Sequence, residues 1–204
     1  MLAAWWLGAA AHAAPATCAN PEIVVEGKPL ELNYRDNNAV LRDVTISQCN
    51  TRIEAAEAQV TGGIGFQDSR WTFSGNVRIK AEGGSLRSDK AVVAFRNNLI
   101  STATITGTPA EFEQQRADGA TSRGHDKTID YETTGGTVSF RENAWLSDGC
   151  NEITGQQLVY NIKAQRVEGQ ARPAPGDDGR IRITIQPKPA SGSPCAHTVS
   201  EKKP

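Results

Sequence analysis

Three histidines and paired carboxylates such as Asp130 and Glu132 are the residues of this chain that could catalyse acid–base chemistry. His12 and His197 lie near the two ends of the sequence, and His125 stands alone in a polar stretch. Asp130 and Glu132 could cleave a glycoside as a pair, but they alternate with apolar residues and are expected to face solvent. No Ser-His-Asp set, metal-ligand spacing or nucleotide-binding loop is recognisable. The sequence predicts a protein that is not an enzyme and uses no cofactor or metal.

Four cysteines indicate an oxidising compartment. Cys18, Cys49, Cys150 and Cys195 form an even set without C-x-x-C spacing. This favours disulfides over metal binding or redox catalysis, and free thiols are the alternative.

The N-terminus resembles a secretory signal peptide. Residues 1–13 are largely apolar and end in Ala11-His12-Ala13, which has the form of an A-x-A cleavage site. No Lys or Arg precedes Lys28, so the usual basic region is missing and the true start codon could lie upstream. The segment is shorter than the about 20 apolar residues that span a bilayer. The alternative is a short disordered N-terminus.

Composition limits the remaining classes of function. A net charge of −1 at pH 7 argues against nucleic-acid binding, because phosphate contacts need clustered Lys and Arg. Cleavage would leave roughly 190 residues, enough for one domain or a linear array of repeats. We expect a soluble, extracytoplasmic protein.

A seventeen-residue pattern recurs along the chain. It occurs without gaps at 44–60, 77–93 and 144–160. Apolar residues share its third, tenth and fifteenth positions, as Ile46, Ile79 and Leu146, then Ile53, Leu86 and Ile153, then Ala58, Ala91 and Leu158. The copies start 33 and 67 residues apart, and a lengthened copy runs from Ala110 to Tyr131. Such a repeat predicts a stack of similar units.

Apolar and polar residues alternate through these units with the period of a β-strand. Turn residues separate the runs at Asp36–Asn38, Gly62-Gly63, Gly83-Gly84, Asn97-Asn98, Gly135-Gly136 and Asp177–Gly179. No window has a convincing helical period. The sequence predicts an all-β fold over residues 20–188, an elongated, twisted, open jellyroll of two facing antiparallel sheets built from hairpin repeats of about 33 residues.

The repeat also bears on the cysteine pairing. Cys49 and Cys150 lie about three units apart, which at one strand per unit corresponds to ~14 Å. That distance exceeds the ~7 Å Cα limit for a disulfide. We expect Cys18 to pair with Cys49, and Cys150 with Cys195, so that each bridge holds one terminal tail.

Several short stretches, taken together, resemble the OstA-like family. They are Gly75–Ile79 with Leu86–Ala91, Thr106–Phe112, Asn143–Leu146 with Ile153–Gly155 and Tyr160, and Asp178–Pro187. The likeness covers roughly residues 52–187. It implies a periplasmic protein of lipopolysaccharide transport and outer-membrane biogenesis that binds lipopolysaccharide acyl chains in an apolar groove. It also implies end-to-end self-association into a bridge between an inner-membrane partner, LptC, and an outer-membrane partner, LptD.

The resemblance implies which residues line the lipid. Ile53, Phe112 and Tyr131 are carried over by position. Residues on the same face are added to them, namely Phe73, Ile79, Leu86, Phe95, Ile129, Phe140, Leu146, Ile153 and Tyr160. Their alternative role is ordinary core, although in such a groove the core and the lipid-binding face are the same surface.

Both ends of the array are expected to dock other chains through their edge strands. Ile181, Ile183 and Ile185 alternate near the C-terminus between prolines and form one predicted edge. Residues 23–34 form the other. The alternative is an edge protected by its prolines and arginines. Residues 189–204, rich in Pro, Ser and Lys, are expected to be a disordered tail.

Two features depart from the family pattern, and two other classes stay open. The family domain would begin near Arg52, whereas residues 23–44 add a hairpin, and the cysteines have no counterpart. The chain could instead be an LptC-like component, or an OstA-like domain held within LptD. It could also be an extracellular β-solenoid for adhesion or carbohydrate binding, but that class favours aromatic outer faces, and Trp145 is the one aromatic residue expected to face outward in a mid-unit strand.

Overall fold

A computed structural model describes residues 22–33, 35–60, 63, 65–81, 83–116, 119–169 and 180–186. Within these ranges the chain forms thirteen strands, all paired antiparallel, and no helix. The all-β prediction is confirmed for the described residues. The described part also contains no helix with the length and hydropathy of a membrane span. The predicted signal peptide and polar tail, with Cys18, Tyr34 and Cys195, lie outside the described residues.

The strands are of two kinds, seven long ones followed by six short ones. They are β1 (Val24–Asn33), β2 (Asn38–Gln48), β3 (Thr51–Val60), β4 (Asp68–Ala81), β5 (Gly84–Arg96), β6 (Leu99–Gln115), β7 (Thr121–Glu132), β8 (Thr137–Phe140), β9 (Ala144–Ser147), β10 (Asn151–Gly155), β11 (Leu158–Asn161), β12 (Arg166–Gly169) and β13 (Arg182–Ile185).

A line of β-bulges bends the sheet across its middle. Five register shifts lie along this line, between Glu26 and Lys28 in β1, Glu54 and Glu57 in β3, Ser74 and Val77 in β4, Arg87 and Lys90 in β5, and Thr106 and Ala110 in β6; two others, between Pro29 and Glu31 and between Ala94 and Phe95, lie away from it. Bulges bend a strand and increase its twist. Because these bulges lie side by side on neighbouring strands, together they form one fold line.

Left-handed backbone conformations mark the fold line in β2 and β4. Asp43 has φ of 51°, and the pair Gly75 and Asn76 has φ of 78° and 50°. A Cβ at Gly75 would lie 2.8 Å from the Cβ of Ala56 on β3, so glycine suits this position for two reasons, its φ and the close approach of β3.

The fold line divides the molecule into two layers. Layer A contains residues 28–33, 38–42, 57–60, 68–74, 90–96, 99–106 and 128–132 with β8, β11 and β12. Layer B contains residues 24–26, 44–48, 51–54, 77–81, 84–88, 110–115 and 121–126 with β9, β10 and β13. The prediction of two facing sheets needs one refinement, because a single hydrogen-bonded sheet supplies both layers by bending.

After β7 the sheet splits into two arms. β8 pairs with the layer A half of β7 and continues through β11 to β12, while β9 pairs with the layer B half and continues through β10 to β13. Within the described strands, no ladder pairing joins the two arms.

The buried carboxylate of Asp126 lies where the arms separate. It accepts hydrogen bonds from the backbone amides of Lys127 at 2.6 Å, Glu142 at 3.0 Å and Asn143 at 3.2 Å. The last two amides belong to the break between β8 and β9, where strand pairing stops. Asp126 therefore provides acceptors for backbone donors that have no strand partner at this break.

The sequence repeat corresponds to successive hairpins. Its copies begin at Val44, Val77, Ala110 and Ala144, each at most 2% exposed and each next to the fold line in layer B. Every copy then runs through a turn and returns toward layer A. The repeated unit is therefore the layer B half of one strand, a turn, and the strand that returns to layer A.

Candidate functional site

One row of apolar side chains crosses layer B from edge to edge. Its members are direct cross-strand neighbours, in the order Val25, Ile46, Ile53, Ile79, Leu86, Phe112, Gly124, Leu146, Ile153 and Ile183. Nine of the ten are apolar side chains on the inward face. The row is a continuous aliphatic lining broken only by a glycine.

Two similar rows cross layer A and face the first. One runs Leu41, Ala58, Phe73, Ala91, Ile105, Ile129, Phe140 and Leu158, and the other runs Ala39, Val60, Trp71, Val93, Ala103, Tyr131, Val138, Tyr160 and Val167. Alternation along each strand sends these side chains to one face. The interior is therefore lined by apolar groups on both sides along its length.

The two layers touch through aromatic side chains near the splitting of the sheet. Phe112 of layer B lies 6.4 Å from Phe140 and 5.9 Å from Tyr160, between ring centroids. A Cβ on Gly124 would lie 2.5 Å from Cζ of Phe140, so the gap in the layer B row is filled by a ring from layer A. The interior is closed here by side-chain packing between the layers.

The residues predicted to line the lipid all lie on this interior. Eleven are buried, namely Ile53, Phe73, Ile79, Leu86, Phe95, Phe112, Ile129, Tyr131, Phe140, Leu146 and Tyr160, and Ile153 is half-buried. The structure brings them together as one surface. Their contact with lipid stays a prediction.

Other inward residues belong to the same surface and were not among the predicted ones. Trp71, Val93, Ile105, Val138 and Leu158 are each at most 1% exposed. Their alternation with polar neighbours carries the same signal as the predicted residues, so the strand period could have identified them.

A polar contact joins the layers inside this apolar surface. The hydroxyl of Tyr160 donates to Oε1 of Gln114 at 2.8 Å and lies 3.5 Å from Oγ of Ser122. All three residues are buried. Gln114 and Ser122 are polar residues at positions where the strand period predicts apolar ones. The sequence alone does not show that Tyr160 is their partner.

The apolar lining is uncovered at both edges of the sheet. Val25 of β1 is 37% exposed, as is the outward-facing Val24 at 44%, and at the opposite edge Ile181, Ile183 and Ile185 are 48%, 55% and 72% exposed. Val25 and Ile183 are the two ends of the layer B row. Exposed apolar side chains on an edge strand favour pairing with another chain.

Three of the residues considered for acid–base chemistry, Asp130, Glu132 and His125, have structural partners on the outward face, and His12 and His197 lie outside the described residues. Asp130 forms an ion pair with Arg141. Hydrogen bonds from the amides of Gly135 and Thr134, both 2.7 Å long, lower the pKa of Glu132. His125 stacks on Trp145 with ring centroids 4.8 Å apart. Each side chain is engaged in holding a turn or a pair of strands.

Two of the four cysteines lie in described turns. Cys49 is in the turn between β2 and β3, and Cys150 is in the turn between β9 and β10. Both are disulfide-bonded. Because Cys18 and Cys195 lie outside the described residues, the predicted pairing stays a prediction.

An open antiparallel β-jellyroll with an apolar interior and two exposed edges is the class of protein that this geometry defines. Residues 64–166, half of the chain, match the family "LptA/(LptD N-terminal domain) LPS transport protein". The chain belongs to this family.

Individual relatives are similar to the chain over part of their length. The lipopolysaccharide export system protein LptA of Escherichia coli K12 is 29% identical over 99 residues, which cover 48% of this chain and 54% of that protein. LptA of Haemophilus influenzae is 25% identical over 116 residues, covering 55% of this chain and 64% of that protein. The chain thus spans about half to two thirds of the length of these curated relatives.

One solved structure is similar over most of the chain. It is LptH, described as the LptA homologous periplasmic component of the lipopolysaccharide transport device of Pseudomonas aeruginosa. It superposes with a TM-score of 0.45 at 23% identity, covering 82% of this chain and 96% of that one.

Proposed function

We propose that this protein carries lipopolysaccharide across the periplasm and is not an enzyme. The observation that carries the proposal is the set of apolar rows that line the interior from one sheet edge to the other in a member of this family. Each CH2 group of an acyl chain moved out of water gains about 0.8 kcal/mol. A lipid with several chains needs a continuous apolar lining of this kind to cross an aqueous space.

The acyl chains occupy the interior after the layers move apart. Phe112, Phe140 and Tyr160 fill the space between the layers in the structure. The two arms after β7 share that strand and are linked by the short connections at residues 141–143 and 156–157, but no ladder pairing joins them within the described strands. Opening the space between the layers leaves the strand ladders intact but breaks the Tyr160–Gln114 hydrogen bond, and lipid then replaces the apolar contacts between the layers.

The exposed edges support assembly into a bridge. β1 at one edge and β13 at the other are unpaired on their outer sides within the described chain, and both carry exposed apolar side chains. Pairing of β1 from one copy with the opposite edge of the next would join the layer B rows end to end. The same edges would dock an LptC-like inner-membrane protein and an LptD-like outer-membrane protein.

Disulfides from Cys18 to Cys49 and from Cys150 to Cys195 complete the proposal. Cys49 and Cys150 lie on opposite sides of β4, β5, β6 and β7. At about 4.8 Å per strand this separation along the sheet exceeds the ~7 Å that a direct bridge allows. Each cysteine then pairs with the tail nearest to it, in agreement with an oxidising periplasm.

Site-specific photocrosslinking in cells that make lipopolysaccharide tests the function. The photoreactive residue replaces Phe112, which is 3% exposed, and in the control it replaces the neighbouring, exposed Glu113. Adducts detected with antibody to lipopolysaccharide are expected at position 112 and not at position 113. A folded, exported protein without adducts at position 112 would indicate that the interior is an ordinary hydrophobic core that does not bind lipid. Carbohydrate binding at the outer pair of His125 and Trp145 would then be the better hypothesis.

A further inference from the structure

The ends of the two layers that lie away from the fold line meet along a line that we call the seam. A surface pocket opens on this seam. We call it the seam pocket. It has a volume of about 590 Å³ and lies between the turn from β4 to β5 in layer B and the end of β11 in layer A. Lys80, Gly83, Gln114, Ile162 and Lys163 contribute to its lining. Gln114 and Ile162 are buried members of its lining, and the two lysines are exposed.

Gly83 brings the layers together at the base of the seam pocket. A Cβ at this position would lie 3.1 Å from Cδ1 of Ile162 and 3.4 Å from the hydroxyl of Tyr131. Both neighbours belong to layer A, so the two layers are separated here by the width of a backbone. A ligand that enters the interior along the seam would pass this point.

The charged side chains of the seam pocket favour an anion. Lys80 and Lys163 are exposed on its two sides, and the Lys163 ammonium also lies 3.5 Å from the Thr134 carbonyl oxygen, near the Glu132 carboxylate. The one carboxylate among the described lining residues, that of Glu113, forms an ion pair with Arg123 at 3.0 Å on the outer face. Glu82 belongs to the same turn in the sequence and lies outside the described residues.

The chemistry of the lining changes in order from the interior to the solvent. Phe112 lies in the apolar interior, and Gln114, two residues further along β6, hydrogen-bonds the Tyr160 hydroxyl and lines the seam pocket. The lysines follow at the surface. A phosphorylated acyl glycolipid has the same order, with apolar chains, then amide and ester linkages, then phosphate groups.

We propose that the seam pocket binds the phosphate group of a phosphorylated acyl glycolipid whose chains occupy the interior. Lys80 and Lys163 provide the positive charge, and Gln114 faces the polar linkages. This inference rests on the proposed lipid-carrier function and assigns the polar end of the cargo to one place on the seam.

Binding of two lipids to the purified full-length protein tests the assignment. The probes are diphosphoryl lipid A and the same lipid with both phosphates removed. Lys80→Gln and Lys163→Gln are each expected to weaken binding of the phosphorylated lipid by about three- to five-fold, and together by about ten-fold. Binding of the dephosphorylated lipid should not change. Lys127→Gln is the matched control, because Lys127 is exposed and pairs with Glu142 away from the seam.

The outcomes separate this inference from the carrier function. If wild type binds both lipids alike, or if the double variant keeps the preference for phosphate, the seam pocket does not hold the phosphate although the protein still carries lipid. If neither lipid binds, the carrier function fails and the assignment fails with it. Excess inorganic phosphate should lower the preference without releasing the lipid. Full release by inorganic phosphate would show that the pocket binds the free anion and contradict the lipid assignment.

Discussion

At the scale of single residues, Gly124 is a position where the interior tolerates little change. An added Cβ would lie 2.5 Å from Cζ and 2.7 Å from Cε1 of Phe140, whose ring is 1% exposed. We expect Gly124→Ala to lower the free energy of unfolding by about 1–3 kcal/mol, as overpacking of a buried site does. Urea denaturation measures the loss.

Gly65→Ala is the control for this substitution. No atom lies within 4 Å of the Cβ that it would add, so we expect a change within about 0.5 kcal/mol. Equal losses in the two variants would mean that the Phe140 ring moves aside and that the layers are not tightly packed at Gly124.

The hydrogen bond from Tyr160 to Gln114 gives a second prediction at this scale. Tyr160→Phe leaves the Gln114 oxygen without this donor between the layers, and we expect a loss of about 1–2 kcal/mol in the free energy of unfolding. In a Gln114→Leu background the same substitution should cost less, because no oxygen is left unsatisfied. A double-mutant cycle with no coupling would contradict the contact.

At the scale of elements, Asp126 holds the chain where the sheet divides. Asp126→Asn keeps one acceptor oxygen but directs an NH2 group toward backbone donors, and we expect it to lower the free energy of unfolding by about 1–3 kcal/mol. Amide hydrogen exchange should accelerate first at Glu142 and Asn143, whose backbone N–H groups donate hydrogen bonds to the Asp126 carboxylate. Faster exchange spread evenly over β7 to β9 would instead indicate general destabilisation.

The turn between β9 and β10 is expected to respond to acid. Burial alone would raise the pKa of Asp148, but hydrogen bonds from Asn151 and from the amide of Cys150 outweigh it and lower that pKa. Because the pKa is lowered in the folded state, the ionised carboxylate stabilises the turn at pH values above its ordinary pKa of 3.8. This stabilisation is lost as the pH falls through the lowered pKa. The amide shift of Asn151 in NMR spectra should report the titration. Asp148→Asn should remove this titration. An Asn151 amide shift that still titrates in the Asp148→Asn variant would contradict the assignment to Asp148.

The sequence predicted the strands because the signal for each is local. Alternation at Phe73 or Phe112 and glycine pairs such as Gly83-Gly84 require no knowledge of distant residues. The repeat predicted the stacking of hairpins for the same reason. The fold line and the splitting of the sheet were not predicted, because they depend on contacts such as Asp126 with Asn143, which are distant in the sequence.

The candidate site was predictable to the extent that it follows the strand period. The apolar lining follows from inward-facing positions, and eleven of the twelve predicted residues are buried. Gln114 and Ser122 interrupt that pattern, and their role depends on Tyr160 of the other layer. The seam pocket combines Lys80 and Lys163, which only the bending of the sheet brings to one place.

At the scale of the whole molecule, the apolar rows continue to both edges, and this continuity predicts the mode of assembly. Ile183 ends the layer B row at one edge and is 55% exposed. A lysine there would put a charge into the junction between copies, where the next apolar row should begin, while the edge remains solvated in the monomer. We expect Ile183→Lys to reduce end-to-end association by about ten-fold or more, since burial of an unpaired charge is costly.

Leu99→Lys is the matched control, because Leu99 is 56% exposed but starts β6 beside the β5–β6 turn, away from either sheet edge. Concentration-dependent light scattering on the wild type and both variants measures the association, and circular dichroism checks that each is folded. Association that Leu99→Lys leaves intact and Ile183→Lys removes would assign the junction to the β13 edge. Equal losses would point to nonspecific contact between exposed apolar residues, and a wild type that stays monomeric at every concentration would contradict an end-to-end bridge.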